Sequence, residues 1–203
     1  MSVVNLRYRL IGGAISRDHA AALHAAVVKA VPAVRADRTL GLLPLYGRLG
    51  GKRRLEFSRA NLLLVRADVC RVPALLKLAG RHLEVGEQVV RLGCPAVHDL
   101  EPVECLYSRL VVLASANVDP AVFLRAAQRA LDRAEVSGKA QLVACPGNSP
   151  QYVRGTVRFR NRSVNGFALL VAPLSSEHSL RLQEVGLGLH RALGCGIFVP
   201  NRE

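Results

Sequence analysis

The sequence predicts an α+β fold built twice, each half an antiparallel sheet carrying two helices in the order β-α-β-β-α-β. Three observations predict it. Segments that alternate apolar and polar residues, the mark of a half-buried strand, recur along the chain. Stretches with apolar residues at helical spacing lie between them, as at Ala20–Val31 and Ala121–Ala134. The same order of elements then appears once in each half of the 203 residues.

In the first half, Val3 to Ile11 places Leu6, Tyr8 and Leu10 on one face and Arg7 and Arg9 on the other, a strand with a basic outer face. Gly12-Gly13 ends it. Ser16 is the expected N-cap of the first helix, with Asp18 in its first turn. Ala20 to Val31 carries Leu23, Val27, Ala30 and Val31 on one stripe, and Pro32 stops it. Short strands follow at 40–46, 54–57 and 62–66, with a basic turn over 47–52. A short helix at 72–78 and a strand at 88–92 close a first domain, residues 1–96. Residues 97–102 read as a linker.

The second domain, residues 103–203, opens on an apolar strand at 106–114. Asp119-Pro120 is a strong helix start, and Phe123, Ala127 and Leu131 keep register up to the Gly138 stop. Strands are expected at 140–144, 152–160 and 164–171. A last helix, capped by Ser175 or Ser176, runs to about Val185, and residues 197–200 return as a strand. Each half is thus a ferredoxin-like unit. The fold alone leaves function open, since it serves RNA-binding modules, metal chaperones, regulatory domains and enzymes.

Composition narrows the partners. Lys plus Arg number 28 against 15 Asp plus Glu, a formal charge of +13, and arginine greatly outnumbers lysine. Arginine grips phosphate bidentately and stacks on bases, so the balance favours a nucleic acid. The five cysteines, Cys70, Cys94, Cys105, Cys145 and Cys195, form no Cys-x-x-Cys pair and are odd in number. That argues against a disulfide framework and a zinc site, and for a reducing compartment. No basic-then-apolar leader opens the chain, and no apolar run reaches spanning length, so a cytoplasmic protein with no membrane partner is expected.

Two Gly-x-Gly pairs stand near the C-terminus, Gly186-Leu187-Gly188 and Gly194-Cys195-Gly196, flanking the basic turn His190-Arg191. Glycines allow positive φ or close backbone approach, and free N–H groups beside an arginine can hold phosphate oxygens. The other reading is a helix C-cap followed by a tight turn into the last strand. The order of helix, Gly-x-Gly, basic turn, Gly194-Cys195-Gly196-Ile197-Phe198 and chain end resembles the glycine-rich loop of the CRISPR repeat-RNA processing endoribonucleases. These belong to the repeat-associated RNA-binding superfamily. The stretch 166–171 through 179–184 resembles their compact Myxococcus-type branch. The resemblance implies tandem ferredoxin-like domains, metal-independent cleavage of precursor CRISPR RNA and no cofactor. It also implies that repeat RNA, as a hairpin, and effector-complex subunits are partners.

A second basic feature is Arg154, Arg158, Arg160 and Arg162, of which the last three fall on one face at period 2, opposite Val157 and Phe159. Such a stripe suits an RNA backbone. Arg48, Lys52, Arg53 and Arg54 form a weaker cluster. The six histidines show no metal-ligand spacing, the carboxylates are scattered, and the paired His-x-Ser/Thr of a duplicated phosphoesterase is missing. This leaves metal-free acid–base chemistry on the RNA's own 2′-hydroxyl, or no chemistry. His19, at the start of the first helix, is the candidate base, as the helix end disfavours an imidazolium and the family commonly uses a first-helix histidine. His24, about 140° further round the helix, reads as structural. Tyr46, Lys52 and Ser58 are candidates for the acid, and Lys52 or Arg54 for charge stabilisation. Gly186, Gly188, His190, Arg191, Gly194 and Gly196 are expected to hold RNA. The rival readings are a non-catalytic RNA-binding subunit of the same complex and a regulatory domain for a small molecule, the latter disfavoured by the charge.

Overall fold

The computed structural model describes the chain apart from residues 1, 12–13, 44, 46–47, 50–53, 58–60, 114–118, 148–150, 160–161 and 202–203. Of the expected site residues, Tyr46, Lys52, Ser58 and Arg160, with Arg53 of the weaker cluster, lie outside the described residues. The chain divides into two compact units, Met1–Asp99 and Leu100–Glu203.

In the first unit, strand β1 (Val3–Ile11) is long because its apolar residues alternate. Val4, Leu6, Tyr8 and Leu10 turn inward, with Leu6 and Tyr8 wholly buried. β1 pairs antiparallel with β6 (Leu62–Asp68) on one side and β8 (Gln88–Asp99) on the other. β3 (Gly41–Leu42) and β7 (His82–Val85) complete the sheet, in the order β3-β6-β1-β8-β7. Without β7 this is the strand order of a ferredoxin-like unit. Helix α1 (Ala20–Ala30) and the one-turn α2 (Val72–Leu75) supply Leu23, Val27 and Leu75 to the core. Each such side chain contributes about 1.5–3 kcal/mol on full burial. The Tyr8 hydroxyl, inside that core, donates to the Leu75 carbonyl at 2.7 Å. Burial pushes its ionisation well above the usual phenol range. A separate three-stranded sheet joins β2 (Ala14–Ser16), β5 (Arg54–Glu56) and β4 (Arg48–Leu49).

Three expectations need correction here. The segment 97–102 is not a linker throughout, because β8 runs to Asp99 and pairs with β1 as far as Val4↔Asp99. Ser16 ends β2 instead of capping α1, and its hydroxyl accepts the Asp18 N–H at 3.2 Å. The short helix after β6 is a single α-turn between two 3₁₀ turns, at Val69–Arg71 and Leu76–Leu78.

The second unit repeats the scheme. β9 (Leu106–Val111) lies between β12 (Arg162–Ala172) and β13 (Val199–Pro200), with β10 (Lys139–Leu142) beyond β12. The order β10-β12-β9-β13 is again ferredoxin-like. β11 (Arg154–Phe159) forms a hairpin with β12. Helix α3 (Pro120–Arg133) starts where Asp119 accepts the Val122 N–H at 2.8 Å, with Pro120 in its first turn. Helix α4 (Ser176–Val185) starts on Ser175, which accepts the His178 N–H. Phe123, Ala127 and Leu131 of α3 and Leu182 of α4 pack on Phe167, Leu169 and Val171 of β12. The Phe123 and Phe167 rings lie 4.9 Å apart, tilted by 56°.

Candidate nucleic-acid interface and active site

His19 precedes the first residue of α1 and is almost wholly buried, at 3% exposure. Its Nδ1 is 2.9 Å from the Ser16 carbonyl oxygen, and its Nε2 is 2.8 Å from the Leu45 backbone nitrogen. A carbonyl only accepts and a backbone N–H only donates. The ring is therefore the neutral tautomer with its proton on Nδ1 and its lone pair already directed at Leu45. A general base needs that lone pair. In this conformation His19 ties the end of β2 to the backbone of Leu45. His24, inside α1, is half-buried, and burial lowers its pKa from the ordinary value.

The β11–β12 hairpin changes the reading of the basic stripe. Arg158 pairs with Ser163, and Arg162 pairs with Phe159. Residues directly opposite in an antiparallel pair share a face. Arg162 therefore stands on the face of Val157 and Phe159, and Arg158 on the opposite one. The period of 2 does not carry through the turn between the strands. The arginines that do share a face are Arg154 and Arg158, both exposed. The Arg154 guanidinium also lies over the Phe167 ring, 5.0 Å from its centre.

The glycine-rich stretch is a backbone clasp. Gly186 ends α4 with φ +67, its N–H on the Leu182 carbonyl. Leu187 N–H then donates to Gly196 O at 3.0 Å, Leu189 N–H to Val112 O at 2.8 Å, and Gly196 N–H to Leu110 O at 2.7 Å. A Cβ on Gly188 would strike the Val112 carbonyl, and one on Gly196 the Leu187 carbonyl. Those two glycines are needed because backbone meets backbone there. Arg191 turns back onto α4, where its guanidinium donates to the Gln183 carbonyl at 3.3 Å, a cation at a helix C-terminus. Gly194 caps the 3₁₀ turn Arg191–Leu193 with φ +85. His190 is left-handed at φ +63 and half-exposed, its ring 6.2 Å from that of Phe159. The second reading of this stretch, a helix cap and a turn into the last strand, accounts for the N–H groups of Leu187, Leu189 and Gly196. The loop and the hairpin meet at His190 and Phe159.

One feature of this unit was not among the sequence candidates. A groove of about 900 Å³ runs between α3 and residues 185–189 of the loop, with Arg129 and Arg133 along its α3 side. Among the described residues no group of three or more His, Cys, Asp or Glu side chains could hold a metal ion, and no helix is long and apolar enough to cross a membrane.

Comparison with known proteins decides the family. The family model described as Cas6 Crispr matches residues 4–203. The chain belongs to the Cas6 family. It is 36% identical over 200 residues to the CRISPR-associated endonuclease Cas6 of Myxococcus xanthus, covering 98% of this chain and 82% of that protein. Among solved structures, one described as a RAMP protein binding different RNA substrates superposes with a TM-score of 0.71 at 10% identity, covering 98% of this chain and 99% of the other. A Cas6-related protein from Pyrococcus furiosus gives 0.67 at 10% identity over 97% of both chains. The CRISPR endoribonuclease Cse3 bound to a 19 nt RNA gives 0.54 at 16% identity over 98% of both. At these identities the likeness is one of fold, and it supports the tandem ferredoxin-like architecture for a Cas6 chain.

Proposed function

We propose that this Cas6 chain is an endoribonuclease that cuts precursor CRISPR RNA within its repeats and needs no metal ion. The observation that carries this reading is the extended identity to the Myxococcus xanthus endonuclease. The charge of +13 and the exposed pair Arg154 and Arg158 on the β11–β12 hairpin support an RNA substrate. In the proposed reaction the RNA's 2′-hydroxyl loses its proton and attacks the adjacent phosphorus, and the 5′-oxygen leaves with a proton. The products are a 2′,3′-cyclic phosphate and a 5′-hydroxyl. Arginines positioned on the phosphates hold the strand for in-line attack.

For His19 the geometry favours a positioning role. It holds the Leu45 N–H, while Tyr46, Lys52 and Ser58 remain the candidates for proton transfer. Service as the base would require the ring to give up that N–H. The product stays bound within an effector complex in this reading.

The test is incubation with the repeat RNA of the protein's own locus in EDTA. Cleavage to a 5′-hydroxyl fragment is expected, and a 2′-deoxy residue at the scissile position should bind and stay intact. Cleavage only with added magnesium would overturn the metal-free mechanism. Tight binding with no cleavage would assign the chain to the alternative, a non-catalytic RNA-binding subunit.

A further inference from the structure

Strand β8 has a neighbour on both sides over its first part only. β7 pairs with it from Gln88 to Arg91, and Leu92 still bonds Arg81 and Gly80, just before β7. Gly93 and Cys94 then together oppose Arg9, a β-bulge. From there the strand runs on against β1, from Tyr8↔Pro95 to Val4↔Asp99. Among the described residues no strand pairs with the other side of 95–99. Cys94, Ala96, Val97, His98 and Asp99 are all exposed.

Strand geometry decides which backbone groups lie on that open side. A residue in an antiparallel strand directs its N–H and its carbonyl to one side, and successive residues alternate. The Leu10 N–H goes to the Asn61 carbonyl, on the β6 side. Tyr8 and Leu6 therefore also address β6, while Arg7 and Asn5 address β8. Their partners Ala96 and His98 turn their backbone groups to β1. Pro95, Val97 and Asp99 turn theirs to the open side. Pro95 has no N–H, so its place there costs the sheet no bond. Val97 and Asp99 each present an N–H and a carbonyl two residues apart, the repeat that an added strand needs.

The charge of this stretch selects the occupant. The chain carries +13, yet residues 92–108 contain no Lys or Arg. Three of its 15 acidic residues, Asp99, Glu101 and Glu104, fall in the same stretch. Arg7 stands opposite Ala96, but on the inner strand β1. An edge that ends on a carboxylate, with two more next in the chain, repels RNA phosphates. It also opposes a second copy, because a two-fold pairing sets like charges together between bodies of +13 each. We propose that the open edge of β8, residues 95–99, takes an extended segment of another protein chain, rich in Lys or Arg, as an added strand. Main-chain hydrogen bonds supply the affinity, and Asp99 supplies the preference for a basic segment. The inference goes beyond RNA cleavage and holds whether or not the chain cuts RNA.

The probe is a fluorescein-labelled peptide, Lys-Val-Lys-Val-Thr-Val-Lys. Two comparison peptides have Glu in place of Lys, or N-methyl groups on alternate amides, which block a strand ladder. Anisotropy reads affinity, NMR hydrogen exchange reads the edge amides, and thermal melts report folding. In the free chain the N–H groups of Val97 and Asp99 should exchange fast, and those of Ala96 and His98 slowly. The lysine peptide should slow exchange at Val97 and Asp99 and bind more tightly than either comparison. Val97→Pro removes an open-side donor without touching a bond to β1, and should weaken the peptide about 10-fold. Asp99→Lys leaves the backbone groups in place, which keeps the test alive if the proline variant does not fold. It should weaken the lysine peptide roughly 2–10-fold and narrow its advantage over the glutamate peptide. Slow exchange at Val97 in the free, dilute chain overturns the proposal, because the edge is then already covered. Protection that grows with protein concentration assigns the edge to a second copy, and protection by repeat RNA assigns it to RNA. Either result overturns the proposal, as does equal binding of the N-methylated peptide or no binding of the lysine peptide. Failure of RNA cleavage in EDTA tests the nuclease reading and leaves this one untouched.

Discussion

The Nε2 of His19 accepts the backbone N–H of Leu45 at 2.8 Å across 26 positions of sequence. With Nδ1 donating to the Ser16 carbonyl, the buried ring is a two-ended brace. Its removal would leave a backbone donor without its acceptor, and an orphaned buried polar group costs roughly 1–3 kcal/mol. His19→Ala should therefore lower the melting temperature by roughly 2–12 °C. The cleavage rate should fall as well, and its pH profile separates the roles. With a brace, the acid limb of the wild-type profile persists in the variant at a lower amplitude. Loss of an acid limb near the ordinary histidine pKa of about 6.5 would instead identify the ring as the base.

The elements legible in the sequence were those with local punctuation. Asp119-Pro120 starts α3 as expected, because a capping carboxylate and a residue without an N–H both suit a first helical turn. Ser175 starts α4 for the same reason. What failed depended on partners distant in sequence. β8 continues through Pro95 because its later half pairs only with β1, and an edge strand tolerates a missing N–H. The small sheet of β2, β5 and β4 has strands of two or three residues, too short to show a period. Arg162 was assigned to the wrong face because the alternation restarts after a hairpin turn.

At the candidate site the residue types were visible and their engagement was not. A histidine before a helix looks the same in sequence whether its lone pair meets solvent or the Leu45 N–H. The glycines at 188 and 196 showed that the backbone was special there, but not that it meets Val112 and Leu187.

Gly196 offers a direct test of the clasp. Its φ is +64, and an added Cβ would collide with the Leu187 carbonyl, a backbone atom that no rotamer change can move aside. Gly196→Ala should cost about 1–2 kcal/mol for the left-handed backbone and about 1–3 kcal/mol more for overpacking. Gly86→Ala is the control, since φ there is +65 and a Cβ meets nothing within 4 Å. Chemical denaturation should show the larger loss at position 196. Equal losses at the two positions would mean that the loop opens at little cost. The close contact with Leu187 would then not be what requires glycine.

Asp37 gives a pH-dependent prediction with a definite sign. Its side chain is only 6% exposed, yet its carboxylate accepts the Thr39 N–H at 2.8 Å, the Thr39 hydroxyl at 2.7 Å and Arg71 Nε at 2.9 Å. Burial alone would raise its pKa, but the bonds from Thr39 and the Arg71 charge outweigh that and hold it below the ordinary carboxylate value. A group depressed in the folded state stabilises the protein above its unfolded pKa of about 3.9. That contribution is lost as pH falls from there through the lower folded value. Asp37→Asn should therefore be less stable than wild type at pH 7 by about 1–2 kcal/mol, the scale of a lost charge-assisted hydrogen bond. The gap should narrow as the pH drops below about 4, because the wild type then loses the same charge. Melting curves from pH 7 to pH 3 measure it, and a gap that stays constant over that range would show that the charge on Asp37 contributes nothing to holding Arg71 and Thr39 in place.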